Sequence, residues 1–367
     1  MKVIMTCGGT GGHIYPAVAI ADEIKRRDEN TEILFVGSQI GMEKDLVPEC
    51  GYEITLISAD GFSRTLRGSI RSVKRVLKGR GQAKKLVRDF KPDLVIGTGG
   101  YASAPVVSMA EKQGIPTYIQ EQNAIPGRTN RFLGRKARKI FLGFSKASEY
   151  FPDQEKLVLS GNPVRKEFAE LDRAKIRAKL GIPEDTFVVL AFGGSQGAGR
   201  LNKEMLKVIE AYNGDMRTQI WLGAGSYYYD AIQTELKEKG VQLQENIMIE
   251  EYIYDMAERL AASDLIISRS GALTVAEVTV CGVPAIFIPF PEAAENHQYY
   301  NALAVAEKGG AIVIEEKDLD VDPLAKRIEQ IRDDQPLHKK MSEGCRSCGA
   351  PEAVKTICDT IFEDIKE

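Results

Sequence analysis

The chain has 367 residues, with 49 Lys or Arg against 52 Asp or Glu, a formal charge of -3 and 43% hydrophobic residues. That length exceeds what one core usually supports, so two domains are expected, and the near balance of charge gives no global footprint for nucleic acid. Six cysteines are scattered without a framework of spacings, which suits a reducing compartment, and no apolar run approaches the roughly 18 residues that cross a bilayer.

In chain order, residues 2–7 (K-V-I-M-T-C) read as a buried strand, with no charged leader or cleavage site before it, so export is not expected. Gly8, Gly9, Thr10, Gly11, Gly12 and His13 follow, then an amphipathic helix over about 16–27 and a strand over 33–36. Between residues 61 and 88 stand ten basic residues and no acid: Arg64, Arg67, Arg71, Lys74, Arg75, Lys78, Arg80, Lys84, Lys85 and Arg88. Ile70, Val73 and Leu77 fall among them at helical spacing. The result is a basic amphipathic helix suited to anionic lipid headgroups; RNA is the rival partner, but aromatics for base stacking are missing.

A buried strand over 94–97 ends in Thr98, Gly99, Gly100 and Tyr101. A helix over 105–113 and a strand over 116–120 then deliver Glu121, Gln122 and Asn123. Polar residues and glycines thus collect just after strands, where an open parallel sheet places its crevice. Ser160, Gly161, Asn162, Pro163, Val164 and Arg165 have the breaker chemistry of a boundary, so the domains are read as 1–163 and 164–349.

The opening plan recurs in the second half. A strand over 187–192 is followed by Gly193, Gly194, Ser195, Gln196 and Gly197, and by a helix over 201–212. Strands over 219–222, 247–249, 265–268, 285–289 and 311–314 alternate with helices. Two stacked α/β domains with doubly wound parallel sheets account for this repetition. A helical tail over about 350–367 can pack on either domain, including back on the first.

Residues 264–298 carry the clearest ligand signal. Strand 264–268 breaks at Arg269, Ser270 and Gly271, and a helix over 272–281 is stopped by Gly282 and Pro284. Gly271 lets a ligand approach the backbone, and the free N–H groups opening the next helix favour a phosphate or diphosphate. Glu277 lies about a turn and a half on, where a carboxylate accepts from ribose hydroxyls; the alternative is a solvated helix glutamate.

Neither glycine loop is a dinucleotide fingerprint. Ile14 stands where the third glycine would fall, strand 33–36 ends without an acid, and no phosphate-loop lysine is present. Of the three histidines, His13 closes the first glycine loop as a candidate general base, with a structural role as its alternative. Asp320 and Asp322 spell D-x-D, but before Pro323 they read as helix caps rather than metal ligands. Cys345 and Cys348 form C-x-x-C without a second pair, so zinc is not expected.

Taken together, these segments make the sequence resemble the family 28 glycosyltransferases of bacterial peptidoglycan synthesis. The motifs are G-G-T-G-G-H at 8–13, T-G-G-Y at 98–101, E-Q-N at 121–123, G-N-P-V-R at 161–165, G-G-S-Q-G at 193–197, R-S-G-A-L-T-V-A-E at 269–277 and H-Q-Y-Y-N-A at 297–302. The resemblance implies a GT-B fold, two Rossmann-like domains facing across a cleft. It further implies transfer of N-acetylglucosamine from UDP-N-acetylglucosamine to the 4-hydroxyl of the N-acetylmuramyl group of lipid I, giving lipid II, without cofactor or metal. Donor contacts carry over to Thr10, Gly11, Gly12, Asn123, Arg165, Ser195, Ile253, Arg269, Gly271, Ala272, Leu273, Thr274, Glu277 and Gln298. Acceptor contacts fall on Gly8, Gly9 and Tyr101, and the catalytic candidates are His13 and Glu121.

The chain departs from the family pattern at His297, where a second glutamine often stands, and at Gln120, where histidine can precede E-Q-N. The second departure removes a base from that position. A peripheral place on the cytoplasmic face of the cell membrane, beside other cell-wall synthesis proteins, is also implied. A UDP-sugar epimerase of the same architecture and a non-catalytic membrane-bound UDP-sugar sensor are the rival readings. An epimerase needs no lipid acceptor, which leaves the basic segment without a purpose.

Overall fold

A computed structural model describes residues 1–59, 66–321 and 323–366, with side chains of the helix Leu66–Phe90 described from residue 77 onward. Contacts divide the chain into two units, Met1–Arg165 with Ala350–Glu367, and Lys166–Gly349.

In the first unit β1 (Lys2–Thr6), β2 (Glu32–Ser38), β3 (Ile54–Ile57), β4 (Leu94–Gly97), β5 (Thr117–Glu121), β6 (Lys139–Leu142) and β7 (Leu157–Leu159) form one sheet. Their order is β3-β2-β1-β4-β5-β6-β7, and every pairing is parallel. The second unit repeats the plan with β8 (Phe187–Phe192), β9 (Thr218–Gly223), β10 (Ile247–Glu250), β11 (Leu265–Ser268), β12 (Ala285–Phe287) and β13 (Ala311–Val313). Its order is β10-β9-β8-β11-β12-β13, again parallel throughout. Strand order therefore reverses beside β1 and beside β8, and crevices open at the strand ends there. The glycine loops leave the ends of β1 and β8; their partners at the reversals, β4 and β11, end at Gly97 and Ser268, followed by Thr98 and Arg269.

Helices on both faces explain why the strands read as continuous apolar runs. Val3 and Met5 pack with Ile14, Ile20 and Ile24 of the helix Gly11–Arg27, whereas Ile4 joins Ala83, Val87 and Val106 in the other cluster. The helix Ala353–Asp364 completes the first of these cores with Ile357 and Ile361. It is held by an Arg27–Asp359 ion pair at 2.7 Å and a Tyr118 hydroxyl bond to Asp364 at 2.5 Å.

Three outcomes differ from the sequence reading. The strands β3, β6 and β7 were not expected. The first helix begins at Gly11 rather than about residue 16, which puts His13 in its first turn. The basic stretch lies in the helix Leu66–Phe90, but its later half is also a core helix, with Ala83 and Val87 buried. Gly79 sits against the Ser58 carbonyl, where a Cβ would overlap it. Lys78, Arg80, Lys84, Lys85 and Arg88 remain exposed, as does Leu77. Arg64 and Asp322 lie outside the described residues, as do the side chains of Arg67, Ile70, Arg71, Val73, Lys74 and Arg75.

Candidate functional site

The candidate residues form two half-sites, one at the strand ends of each unit. In the first, Thr10 adopts extended backbone before the helix Gly11–Arg27 and gives its opening N–H groups no side-chain cap. Gly9 has a φ of +94°, and its N–H bonds the Glu43 carboxylate at 2.9 Å, while Glu43 also accepts from the Ser38 N–H at 2.7 Å. Glu43 is fully buried. The Gly9 amide, expected to meet the acceptor, is thus already engaged within the chain. Sequence reasoning missed Glu43, whose only local signal is that of an acid in the first turn of a short helix.

His13 faces the loop after β4 and the segment after β5. Its Nδ1 lies 2.7 Å from Gln122 Oε1, and its carbonyl accepts from the Thr98 hydroxyl at 2.7 Å. Gly100, at φ +85°, leaves no room for a Cβ against the Gly8 backbone. The G-G-T-G-G-H and T-G-G-Y loops therefore pack as one surface, with Tyr101 exposed on it.

Glu121, a catalytic candidate, ends β5. Its buried carboxylate accepts from Asn123 N at 2.9 Å, Gly127 N at 3.1 Å and Asn130 Nδ2 at 2.9 Å. A carboxylate so fully engaged shapes the loop that presents Asn123. Gln120 bonds Asn162 Oδ1 at 3.0 Å, and Arg165 sits over the Tyr15 ring at 5.8 Å.

In the second half-site, the helix Ala272–Cys281 starts behind Gly271 with no side-chain cap. The N–H groups of Ala272, Leu273 and Thr274 precede the first helical bond, which runs from Val275 N to the Gly271 carbonyl at 2.9 Å. Glu277 is half-buried on this helix. Ser195 is exposed on the loop after β8, and its carbonyl accepts from Ser226 N at 3.2 Å. Gly197, at φ +82°, allows that loop to touch the Ala224 carbonyl, which a Cβ would strike. Ile253 is buried, with its side chain against Gly223.

Arg269 was expected to contact the donor. Its guanidinium instead bonds the carbonyls of Ile288 and Pro289, each at 3.1 Å, and pairs with Glu316. It braces the exit of β12. Gln298 Oε1 accepts from Phe290 N at 2.9 Å, and His297 Nδ1 lies 2.8 Å from the Ala294 carbonyl. The two residues before them, Glu295 and Asn296, both have φ near +54° (53° and 54°), an uncommon conformation for non-glycine residues that marks a constrained turn.

Other candidates are not drawn into these sites. Asp320 pairs with Arg200 at 2.6 Å, Cys345 is buried against the Val283 carbonyl, and His338 bonds the Asp264 carbonyl at 2.9 Å. Among the described residues no group of three or more His, Cys, Asp or Glu could hold a metal ion. Burial, with Glu277 nearby, pushes the Cys281 thiol up to about 12, so it stays protonated and is no nucleophile. A cavity of about 340 Å³ beside Cys281 is also lined by Asp264 and Pro284. Those two residues precede β11 and β12, so it opens at the strand ends opposite the glycine loops.

A repeated parallel sheet of this order with glycine loops at both reversals defines the GT-B fold, a class of nucleotide-sugar enzymes. The glycosyltransferase family 28 N-terminal domain matches residues 3–142 and the family's C-terminal domain matches residues 188–357. The chain belongs to glycosyltransferase family 28. It is 42% identical to the UDP-N-acetylglucosamine–N-acetylmuramyl-(pentapeptide) pyrophosphoryl-undecaprenol N-acetylglucosamine transferase of Acetivibrio thermocellus, over 100% of this chain and 99% of that one. The enzyme of the same name from Desulforamulus reducens is 40% identical, over 97% of each. Among solved structures, Acinetobacter baumannii MurG superimposes with a TM-score of 0.79 at 29% identity, covering 99% of both chains. The UDP-GlcNAc 2-epimerase of Neisseria meningitidis shares the fold, with a TM-score of 0.70 at 14% identity, over 99% of this chain and 100% of that one.

Proposed function

We propose that this chain transfers N-acetylglucosamine from UDP-N-acetylglucosamine to the 4-hydroxyl of the N-acetylmuramyl group of lipid I, forming lipid II and UDP. The observation that carries the donor half is the uncapped helix start behind Gly271, with Glu277 about a turn and a half later. Three free N–H groups and the helix dipole stabilise the charge that develops on a departing diphosphate. Glu277 accepts from the ribose, and Ser195 and Gln298 complete the polar contacts on this unit.

The reaction is a single inverting displacement. The acceptor oxygen bonds the anomeric carbon as the bond from that carbon to the diphosphate oxygen breaks, and the hydroxyl proton passes to His13. His13 Nε2 has no hydrogen-bond partner among the described residues, which suits a group waiting for a substrate proton. No helix among the described residues is long and apolar enough to cross a membrane. The exposed Lys78, Arg80, Lys84, Lys85 and Arg88 would hold the enzyme against an anionic surface at the cytoplasmic face, where the lipid acceptor resides.

The test is an assay with purified protein, radiolabelled UDP-N-acetylglucosamine and a short-chain lipid I analogue. Label is expected in the lipid product only when the acceptor is present. A new UDP-sugar formed without acceptor would establish the epimerase instead, and binding without turnover of either kind would establish a sensor.

A further inference from the structure

We infer that Gln122 is a positioning residue that fixes His13 as its Nδ1–H tautomer, leaving Nε2 as the proton acceptor. The catalytic part of this inference rests on the reading of His13 as the base. The argument follows from which atoms can donate. Gln122 Nε2 lies 2.8 Å from the Thr98 carbonyl and 3.1 Å from the Gln120 carbonyl, and it also bonds Gln120 Oε1. Carbonyl oxygens only accept, so that end of the amide must be the nitrogen, and a flipped amide is excluded by the network. The other end, Oε1, therefore faces His13 Nδ1 as an acceptor at 2.7 Å. Nδ1 must carry the hydrogen, and in a neutral imidazole Nε2 then holds the lone pair.

The surroundings hold this arrangement in place. Gln120 Nε2 bonds Asn162 Oδ1 at 3.0 Å, and Asn162 Nδ2 returns to the Gln122 carbonyl at 2.9 Å, so the glutamine is fixed at both its backbone and its side chain. Gln122 is buried. On the other side of the ring, a Cβ at Gly99 would stand 2.8 Å from both Nδ1 and Cε1, so the imidazole lies directly on that loop. A neutral amide does here what a carboxylate does when it orients a catalytic histidine: it selects the tautomer and the ring direction.

The protein has three histidines, which makes ¹⁵N imidazole spectroscopy of the whole chain practical. His338 serves as an internal contrast, because its Nε2 faces the Asp264 carbonyl at 2.9 Å and must carry its hydrogen there. In the neutral wild-type protein, His13, assigned by the signal missing from His13→Gln, is expected to show protonated Nδ1 and bare Nε2. Gln122→Met is expected to shift His13 toward the Nε2–H form and to lower kcat tenfold or more, with donor KM within about twofold.

A wild-type His13 protonated at Nε2 overturns the inference, as does a folded Gln122→Met protein that keeps Nδ1–H. The wild-type spectrum decides the tautomer even where that variant fails to fold. A shifted tautomer with unchanged kcat would support the tautomer lock and overturn only the base role, so the two readings fail separately.

Discussion

The Ser270 hydroxyl donates to the Gln298 carbonyl at 2.8 Å, joining the loop before one helix to the first turn of the next. Asn301 Nδ2 returns to the Ser270 carbonyl at 3.2 Å, and Ser270 is fully buried. The two motifs that the sequence presents 28 residues apart are thus one rigid piece that sets Gly271 against Gln298. Ser270→Ala leaves the half-buried Gln298 carbonyl with one fewer donor and is expected to lower stability by about 1 kcal/mol. Donor KM should rise several-fold while kcat changes less, measured by steady-state kinetics beside chemical denaturation. An unaltered KM would show that Ser270 serves packing alone.

Glu43 gives the corresponding test in the first unit. Its carboxylate holds the Gly9 and Ser38 amides from a fully buried position. Glu43→Ala is expected to destabilise the first unit by about 2–3 kcal/mol, because it removes two bonds to the carboxylate and strands the buried Ser38 N–H. UDP affinity, read by titration calorimetry, should be nearly unchanged, since the helix start and Glu277 proposed to hold the diphosphate and ribose lie on the second unit. A large loss of UDP binding would contradict that division of labour.

How much of this was legible beforehand depended on whether the information was local. Apolar runs such as residues 187–192, followed at once by glycines, gave both sheets and both loops, because a buried parallel strand and its turn are written in adjacent residues. The end of β11 and its helix were readable for the same reason. The side-chain assignments at Glu121 and Arg269 were not. Each lies in a motif that points at the ligand, yet Glu121 is engaged by groups 2 to 9 residues on and Arg269 by Glu316, 47 residues away. Glu43 meets Gly9 across 34 residues and Gln122 meets His13 across 109, separations at which no spacing rule applies.

Acid should loosen the C-terminal helix from the first unit. Hydrogen bonding from Arg26, opposed by burial and aided by Arg27, holds the Glu23 carboxyl at about 2, below its ordinary 4.5. Asp359, bonded by Lys355 and Arg27, is also lowered. A depressed carboxyl contributes stability that is complete above its unfolded value and is lost as pH falls through the folded one. The melting temperature should therefore decline as pH drops from about 5 toward 2, and less steeply in Glu23→Gln. Parallel curves for the two proteins would remove Glu23 from the account.

The exposed basic residues permit a direct test of membrane contact. Each contributes on the order of 1 kcal/mol near an anionic surface, so reversing Lys78, Arg80, Lys84 and Lys85 to Glu should weaken vesicle binding at least tenfold. Co-sedimentation with anionic vesicles in low salt measures it, with neutral vesicles as the control. Salt should weaken the wild-type interaction in the same direction. Binding indifferent to both changes would leave the helix with a packing role only.

The base role is tested most simply at His13 itself. The uncapped helix start behind Gly271 proposed for the diphosphate is on the second unit, whereas His13 lies in the first turn of the helix Gly11–Arg27, so His13→Ala should leave UDP affinity within about twofold. Turnover should fall by roughly a hundredfold or more, because the acceptor hydroxyl then loses its proton to water rather than to a positioned imidazole. His13→Asn is the sharper variant, since it retains a polar group for the loop but no lone pair at the Nε2 position. Direct bonds to the Thr98 hydroxyl come from the His13 backbone carbonyl and survive in either variant. A fall in kcat with preserved folding and donor binding therefore reports lost proton transfer and not a collapsed loop. Undiminished kcat in both variants would require another group to take the proton.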